Sequence, residues 1–237
     1  GSEKYLFNLA SYAFDRSLVN ESKMILDKLS KISKEYPKKV EYLQLLAKIF
    51  SSQKNDNKAI KILKELLDKS KPNIDAETHS LLAASIKRDA FNQFHKYGDE
   101  KLLVKKLNEA REIYYSVYIL NSDYYPALNY IYLNLMLAHI NNGDLNSVID
   151  EAKQIWSNTN HTTTDWWSFI SNIEFLILVG QYNDAKKELN SHFDELEEDE
   201  ITEFNISSTI RQLKLYQNFC DKNELNEIVE FISSINK

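Results

Sequence analysis

The sequence predicts an all-α protein, a right-handed superhelix of about six helical hairpins. Three observations lead there. The chain of 237 residues holds only four glycines and three prolines, too few turn-formers for a β-rich fold. A short polar turn followed by a helix with small or apolar residues four positions apart returns along the chain, as in NDNKAIKILKELL (Asn55 to Leu67) and LVGQYNDAKKEL (Leu178 to Leu189). The returns are nearly evenly spaced, which marks a repeat array.

From the N-terminus, LVNESKMILDKL (Leu18 to Leu29) supplies the second helix of a first hairpin. The next hairpin is the most regular. Leu43, Leu46, Ala47 and Phe50 fall on its first helix, Ala59, Leu63 and Leu66 on its second, and Pro72 follows. DKSKPNIDAETHS then leads into an unusually long helix, about Ala76 to Tyr97, and LNEAREIYYSVY pairs with it. Asp123 stands before YYPALNYIYLNLMLAHI and Asp165 before WWSF, both in N-cap position. NNGDLNSVIDEAKQI and CDKNELNEIVEFI complete the series, and DELEEDE (Asp194 to Glu200) is an irregular connection. Alignment puts Ser22, Ala59, Ala110, Val148, Ala185 and Ile228 at one equivalent position. Their spacing is close to the ~34 residues of a tetratricopeptide repeat, usually a little longer. The first helix of each hairpin, the A helix, is expected to line the concave side.

Composition narrows the function. The net charge of −6 argues against nucleic acid as a partner. The single cysteine, Cys220, allows no disulfide framework and favours a reducing compartment. No apolar run approaches the ~20 residues of a membrane span, so the expected location is the cytoplasm and no membrane partner is expected. Gly1-Ser2 resembles a cloning remnant, and the chain is expected to be one domain of a longer protein. No phosphate-binding glycine loop is present. The five histidines, His79, His95, His139, His161 and His192, lack metal-ligand spacing. No catalytic residue, cofactor or metal site is therefore expected.

Helical wheels show a less ordinary feature. Four successive A helices each carry one polar or charged residue in an apolar arc. Lys87 projects with Ala83, Phe91 and Phe94; Asn129 falls between Met136 and Ile140; Glu174 between Trp167 and Ile170; Arg211 beside Phe204 and Leu215. Burying such groups is expensive without partners. Either they satisfy one another, Glu174 pairing with Arg211 or Lys87 and Asn129 bonding backbone, or they meet a polar ligand. Only four of the 29 basic residues are arginines, yet Arg88 and Arg211 both lie in these helices. The planar guanidinium suits bidentate contact with phosphate or carboxylate. Tyr124, Tyr125, Trp166 and Trp167 stand at A-helix starts, where an aromatic face could stack a base. Neighbouring helical residues point about 100° apart, so Trp166 and Trp167 cannot share one seam. Trp166 projects with Ile173 and Ile177 and is expected to pack; Trp167 shares a face with Glu174 and is expected to form a ligand wall.

The ordered set AETHSLLAASIKRDAF, YYPALN, DWW and STIRQLKL resembles the tetratricopeptide-like, TRAF-binding region of the apoptosis signal-regulating kinases. It also resembles the bacterial tetratricopeptide-repeat sensor (TPR-S) domains of conflict systems. The resemblance covers roughly Asp75 to Phe219. It implies a sensor-like region over residues 75–237, continuous with generic helical repeats over residues 3–71. It further implies a non-catalytic regulatory domain fused to an effector, with a nucleotide-derived signal in the bacterial relatives and adaptor proteins in the kinases. Matched residue by residue, it points to Lys87, Arg88, Tyr125, Asn129, Trp166, Trp167, Glu174, Arg211 and Gln212 as ligand-binding. Two readings stand: a sensor of a small anionic, nucleotide-derived ligand, or a peptide-binding or oligomerising scaffold. Homo-oligomerisation stays open.

Overall fold

The computed structural model describes residues 2–69, 75–160, 165–192, 203–218 and 221–234. Cys220, His161, Pro72 and the acidic run from Asp194 to Glu200 lie outside the described residues. Twelve α-helices are present among those described, and they fall into six consecutive pairs. These are α1 Ser2–Asp15 with α2 Val19–Ile32, α3 Val40–Ser52 with α4 Asp56–Lys69, and α5 Ala76–Tyr97 with α6 Glu100–Asn121. The remaining pairs are α7 Tyr124–Ile140 with α8 Leu145–Ser157, α9 Trp166–Leu178 with α10 Tyr182–His192, and α11 Glu203–Leu215 with α12 Lys222–Ser234. The fold is all-α and tetratricopeptide-like, as expected. The long helix spans the predicted Ala76 to Tyr97.

A chain with so few glycines turns by other means. Five hairpin turns each place one residue in the left-handed region: Ser17, Lys54, Gly98, Asn142 and Gly180, with φ between 53° and 76°. At four of them the next amide reaches back five residues to close the helix end. These bonds are Leu18 N to Ala13 O at 2.9 Å, and Asn55 N to Phe50 O, Gly143 N to Ala138 O and Gln181 N to Leu176 O, each at 2.8 Å. This closure satisfies carbonyls that a helix end would otherwise leave orphaned.

Two compact units are present, residues 1–114 and 115–237. In the first, Ala10, Leu26, Leu29, Tyr42, Leu45 and Ile49 form the centre of a core. At the predicted equivalent position of the second helices the side chains are buried. Ser22 is fully buried and its hydroxyl donates to Ala10 O at 2.8 Å, while Ala59 and Ala110 are fully buried. Small side chains let paired helices approach. In the second unit Ala185 plays the same part, and Val148 is half-buried. The expected register fails in α6, where the fourth helical residue is Leu103, seven before Ala110, and in α12, where it is Leu225, three before Ile228; all four are buried. Residues three or seven apart share a helix face, so the apolar pattern alone could not distinguish them.

The starts of α7 and α9, two A helices of the second unit, are fixed by caps. Asp123 Oδ1 accepts from Tyr125 N at 3.1 Å, and Asp165 Oδ1 accepts from Ser168 N at 2.9 Å. Both match the sequence expectation. Asp165→Ala should cost about 1 kcal/mol in a urea melt, with Asp165→Asn retaining most of the stability. Equal losses for the two variants would mean that charge, not the capping bond, holds the helix start.

Candidate functional site

The polar residues in apolar arcs separate into two settings, one in each unit. In the first, Lys87 is buried as predicted. Its neighbour Arg88 belongs to a built network. Arg88 Nε donates to Asp56 Oδ1 at 3.1 Å and Nη2 to Ser85 Oγ at 3.2 Å, and Asn92 Nδ2 donates to Asp56 Oδ2 at 3.1 Å. Asp56 opens α4 and is buried, so the guanidinium supplies the countercharge that a buried carboxylate requires. One turn of α5 therefore anchors the start of α4. Asp89, also buried, is met by Lys106 from α6 and by Gln93 Nε2.

In the second unit the A helices are neighbours: α7 packs on α9, and α9 on α11. The start of α7 is tied to the segment that follows α8 by an isolated bridge between Asp123 and Asn160, with Asn160 N donating to Ser122 O at 2.8 Å. Tyr124 lies in this corner, its hydroxyl pushed up to about 12 by burial first, then by the charges of Asp165 and Asp123. Asn129, one turn into α7, is buried and donates Nδ2 to Tyr125 O at 3.0 Å, the backbone bond considered from the sequence.

Glu174 is buried in α9, and the centre of its setting is a residue that sequence reasoning missed. Tyr216, in the turn after α11, is fully buried and donates its hydroxyl to Glu174 Oε2 at 2.6 Å. The same hydroxyl oxygen accepts from Gln212 Nε2 at 3.1 Å, and the Tyr216 ring lies 5.1 Å from that of Tyr132 on α7. One phenol thus links three A-helix segments. Burial, then the charge of Glu174 and the bond donated to it, raise the Tyr216 hydroxyl well above its usual range; the bond from Gln212 opposes this. The available signal was spacing, since Tyr216 follows Gln212 by one helical turn.

Arg211 corrects the wheel argument. It is exposed, and its Nη2 donates to Ser208 Oγ at 3.1 Å. The buried face of α11 runs through Ile206, Thr209 and Leu213 to Tyr216. At about 100° per residue, Arg211 points roughly 140–160° away from Ile206 and Leu213. Leu215, only half-buried, was the wrong marker of the core arc, and the side chain of Phe204 lies outside the described residues. The tryptophans divide as expected. Trp166 is 1% exposed and Trp167 42%; Tyr125, at the corresponding start of α7, is 44% exposed. Trp156, on α8, stacks on Phe175 with ring centroids 4.8 Å apart and donates Nε1 to Asn172 Oδ1 at 3.2 Å, joining α8 to α9.

Paired antiparallel helices, left-handed turn residues and small residues at the helix contacts define a helical-repeat protein of the tetratricopeptide kind. Within that class, residues 19–134 match the profile of the Tetratricopeptide Repeats-Sensor family, TPR-S. The match includes Lys87, Arg88, Tyr125 and Asn129, and ends before the tryptophan helix. No curated protein matches. A thermophilic tetratricopeptide protein of Thermus thermophilus superposes with a TM-score of 0.60 at 12% identity, over 81% of this chain and 91% of that one. A tetratricopeptide repeat protein of Parabacteroides merdae aligns over 98% of this chain and 99% of its own, with a TM-score of 0.36 and 11% identity. The first of these likenesses supports the fold. No helix among the described residues is long and apolar enough to cross a membrane.

Tyr216→Phe tests the buried phenol. At neutral pH it withdraws a donor from a buried carboxylate and should cost about 1–3 kcal/mol. A tyrosine held neutral by folding contributes stability that is fully present below its ordinary value of 10 and is lost as pH rises toward the folded value. Unfolding free energy of the native chain should therefore fall on the alkaline side from about pH 10. The fall should be shallower in Tyr216→Phe, as read by denaturant melts in steps of pH. An unchanged alkaline slope would assign the loss to other groups.

Proposed function

We propose that this chain is a non-catalytic sensor domain that binds a small anionic, nucleotide-derived ligand and signals to a fused effector. The observation carrying this reading is the division of Asp165-Trp166-Trp167. One indole is sunk in the core and the next is presented on the helix face that also carries the inlaid Glu174. A solvated indole contributes little to folding, whereas an aromatic wall gives a planar ligand a stacking surface. Exposed Tyr125 stands at the equivalent start of the neighbouring A helix, and exposed Arg211 offers positive charge on α11. The TPR-S match supports a sensor role. Arg88, committed to Asp56 and Ser85, is better read as a positioning residue for α4 and α5 than as a ligand contact.

The alternative is a peptide-binding or oligomerising scaffold, the common use of tetratricopeptide repeats. Mass spectrometry of small molecules released from purified protein, followed by a thermal-shift screen of nucleotides, distinguishes the two. A released or stabilising nucleotide supports the sensor. Tight capture of peptides with no response to any nucleotide replaces it with the scaffold. In the same assays Trp166→Ala should lose about 3–5 kcal/mol of stability. Trp167→Ala should keep most of its stability and lose ligand affinity. Equal destabilisation with unchanged affinity would reduce both tryptophans to packing.

A further inference from the structure

The triplet at the start of α9 has a counterpart at the start of α7. Asp165-Trp166-Trp167 and Asp123-Tyr124-Tyr125 share one pattern: an N-cap aspartate, an inward aromatic and an outward aromatic. The cap fixes the first turn, and the inward ring, Trp166 or half-buried Tyr124, holds it against the core. The second ring is then set on the surface in the same helical position of two packed helices, at nearly equal exposure, 44% for Tyr125 and 42% for Trp167. The two starts lie close enough for the charge of Asp165, the α9 cap, to act on the Tyr124 hydroxyl of α7.

A second observation lies one turn further along α9. Ser171 follows Trp167 by four residues and so shares its face. It is 6% exposed, and its hydroxyl makes no hydrogen bond among the described residues. A serine within a helix commonly bonds the carbonyl of its own helix four residues back. Ser85, Ser191 and Ser233 in this chain all do so. Ser171 thus holds an unused donor and acceptor beside an outward indole.

We propose that Tyr125 and Trp167 form a stacking subsite for a planar nitrogen heterocycle of the purine type, with the Ser171 hydroxyl bonding the ring edge. This rests on the sensor reading and assigns the base end of the ligand to the corner between the α7 and α9 starts. Aromatic faces bind any base by stacking, and an edge hydroxyl, which can donate or accept, adds selection among rings. The charged end of the ligand would lie elsewhere, which leaves the two ends separable by experiment.

The protein carries its own probe. Of its three tryptophans, Trp156 and Trp166 are buried and Trp167 is exposed, so acrylamide quenching of the intrinsic fluorescence of the full chain reports on Trp167. Titration with adenosine and guanosine, which lack phosphate, should protect Trp167 from acrylamide. Trp167→Phe should abolish the quenchable component. Tyr125→Leu and Ser171→Ala should each weaken nucleoside binding by calorimetry about tenfold or less, with unchanged melting temperature. If ATP or ribose 5-phosphate binds while nucleosides leave quenching unchanged, the subsite is overturned and the anion-sensing reading stands. If nucleosides protect Trp167 but added phosphates do not tighten binding, the subsite stands and the anionic reading fails. Undiminished nucleoside affinity in Tyr125→Leu and Ser171→Ala overturns the subsite even where binding is observed.

Discussion

A carboxylate taken out of water must be met by a donor, and in this protein that requirement fixes the helices to one another. Three buried acids illustrate it. Asp56 at the start of α4 is held by Arg88 and Asn92 of α5; Asp89 of α5 is held by Lys106 of α6; Glu174 of α9 is held by Tyr216 beyond α11. Each contact joins helices that apolar packing alone could slide or rotate with little penalty. An apolar seam accepts several registers, whereas a buried carboxylate accepts only the one that brings its donor. Breaking such a pair is costly because the remaining charge is stranded, even where the intact pair adds little net stability. The polar inlays are therefore registers first, and any ligand chemistry is built on helices that they have aligned.

The hairpins were legible in the sequence because two local rules leave strong marks: apolar residues at helical spacing, and aspartates ahead of helix starts. Asp123 and Asp165 cap where their position says they should. The division between Trp166 and Trp167 was also legible, since adjacent helical residues cannot face the same way. Lys87, Asn129 and Glu174 were correctly placed in buried arcs, because apolar neighbours on both sides of each define the arc without ambiguity. Arg211 was misplaced for the complementary reason. On α11 the apolar residues are spread widely, so two plausible stripes exist, and only contact with α9 selects the one through Ile206, Leu213 and Tyr216.

What the sequence could not deliver was long-range pairing. Tyr216 and Glu174 are separated by 42 residues, and nothing local marks a tyrosine as the donor for a distant carboxylate. Asp56 reads in sequence as a favourable acid in a first helical turn, and only the fold reveals it as the buried partner of an arginine. The same holds for Ser171, an ordinary helix serine until its lack of a partner is seen beside Trp167.

The turns carry a consequence for how such repeats drift apart. Ser17, Lys54, Asn142, Gly98 and Gly180 differ chemically, yet each takes the left-handed conformation, and four of them are followed by the same closure. Non-glycine residues tolerate this at a modest energetic cost. What passes from one hairpin to the next is thus a dihedral angle, and the letter that realises it is free to change. A repeat defined by backbone angles can lose nearly all identity between its copies while each copy still folds back on itself in the same way.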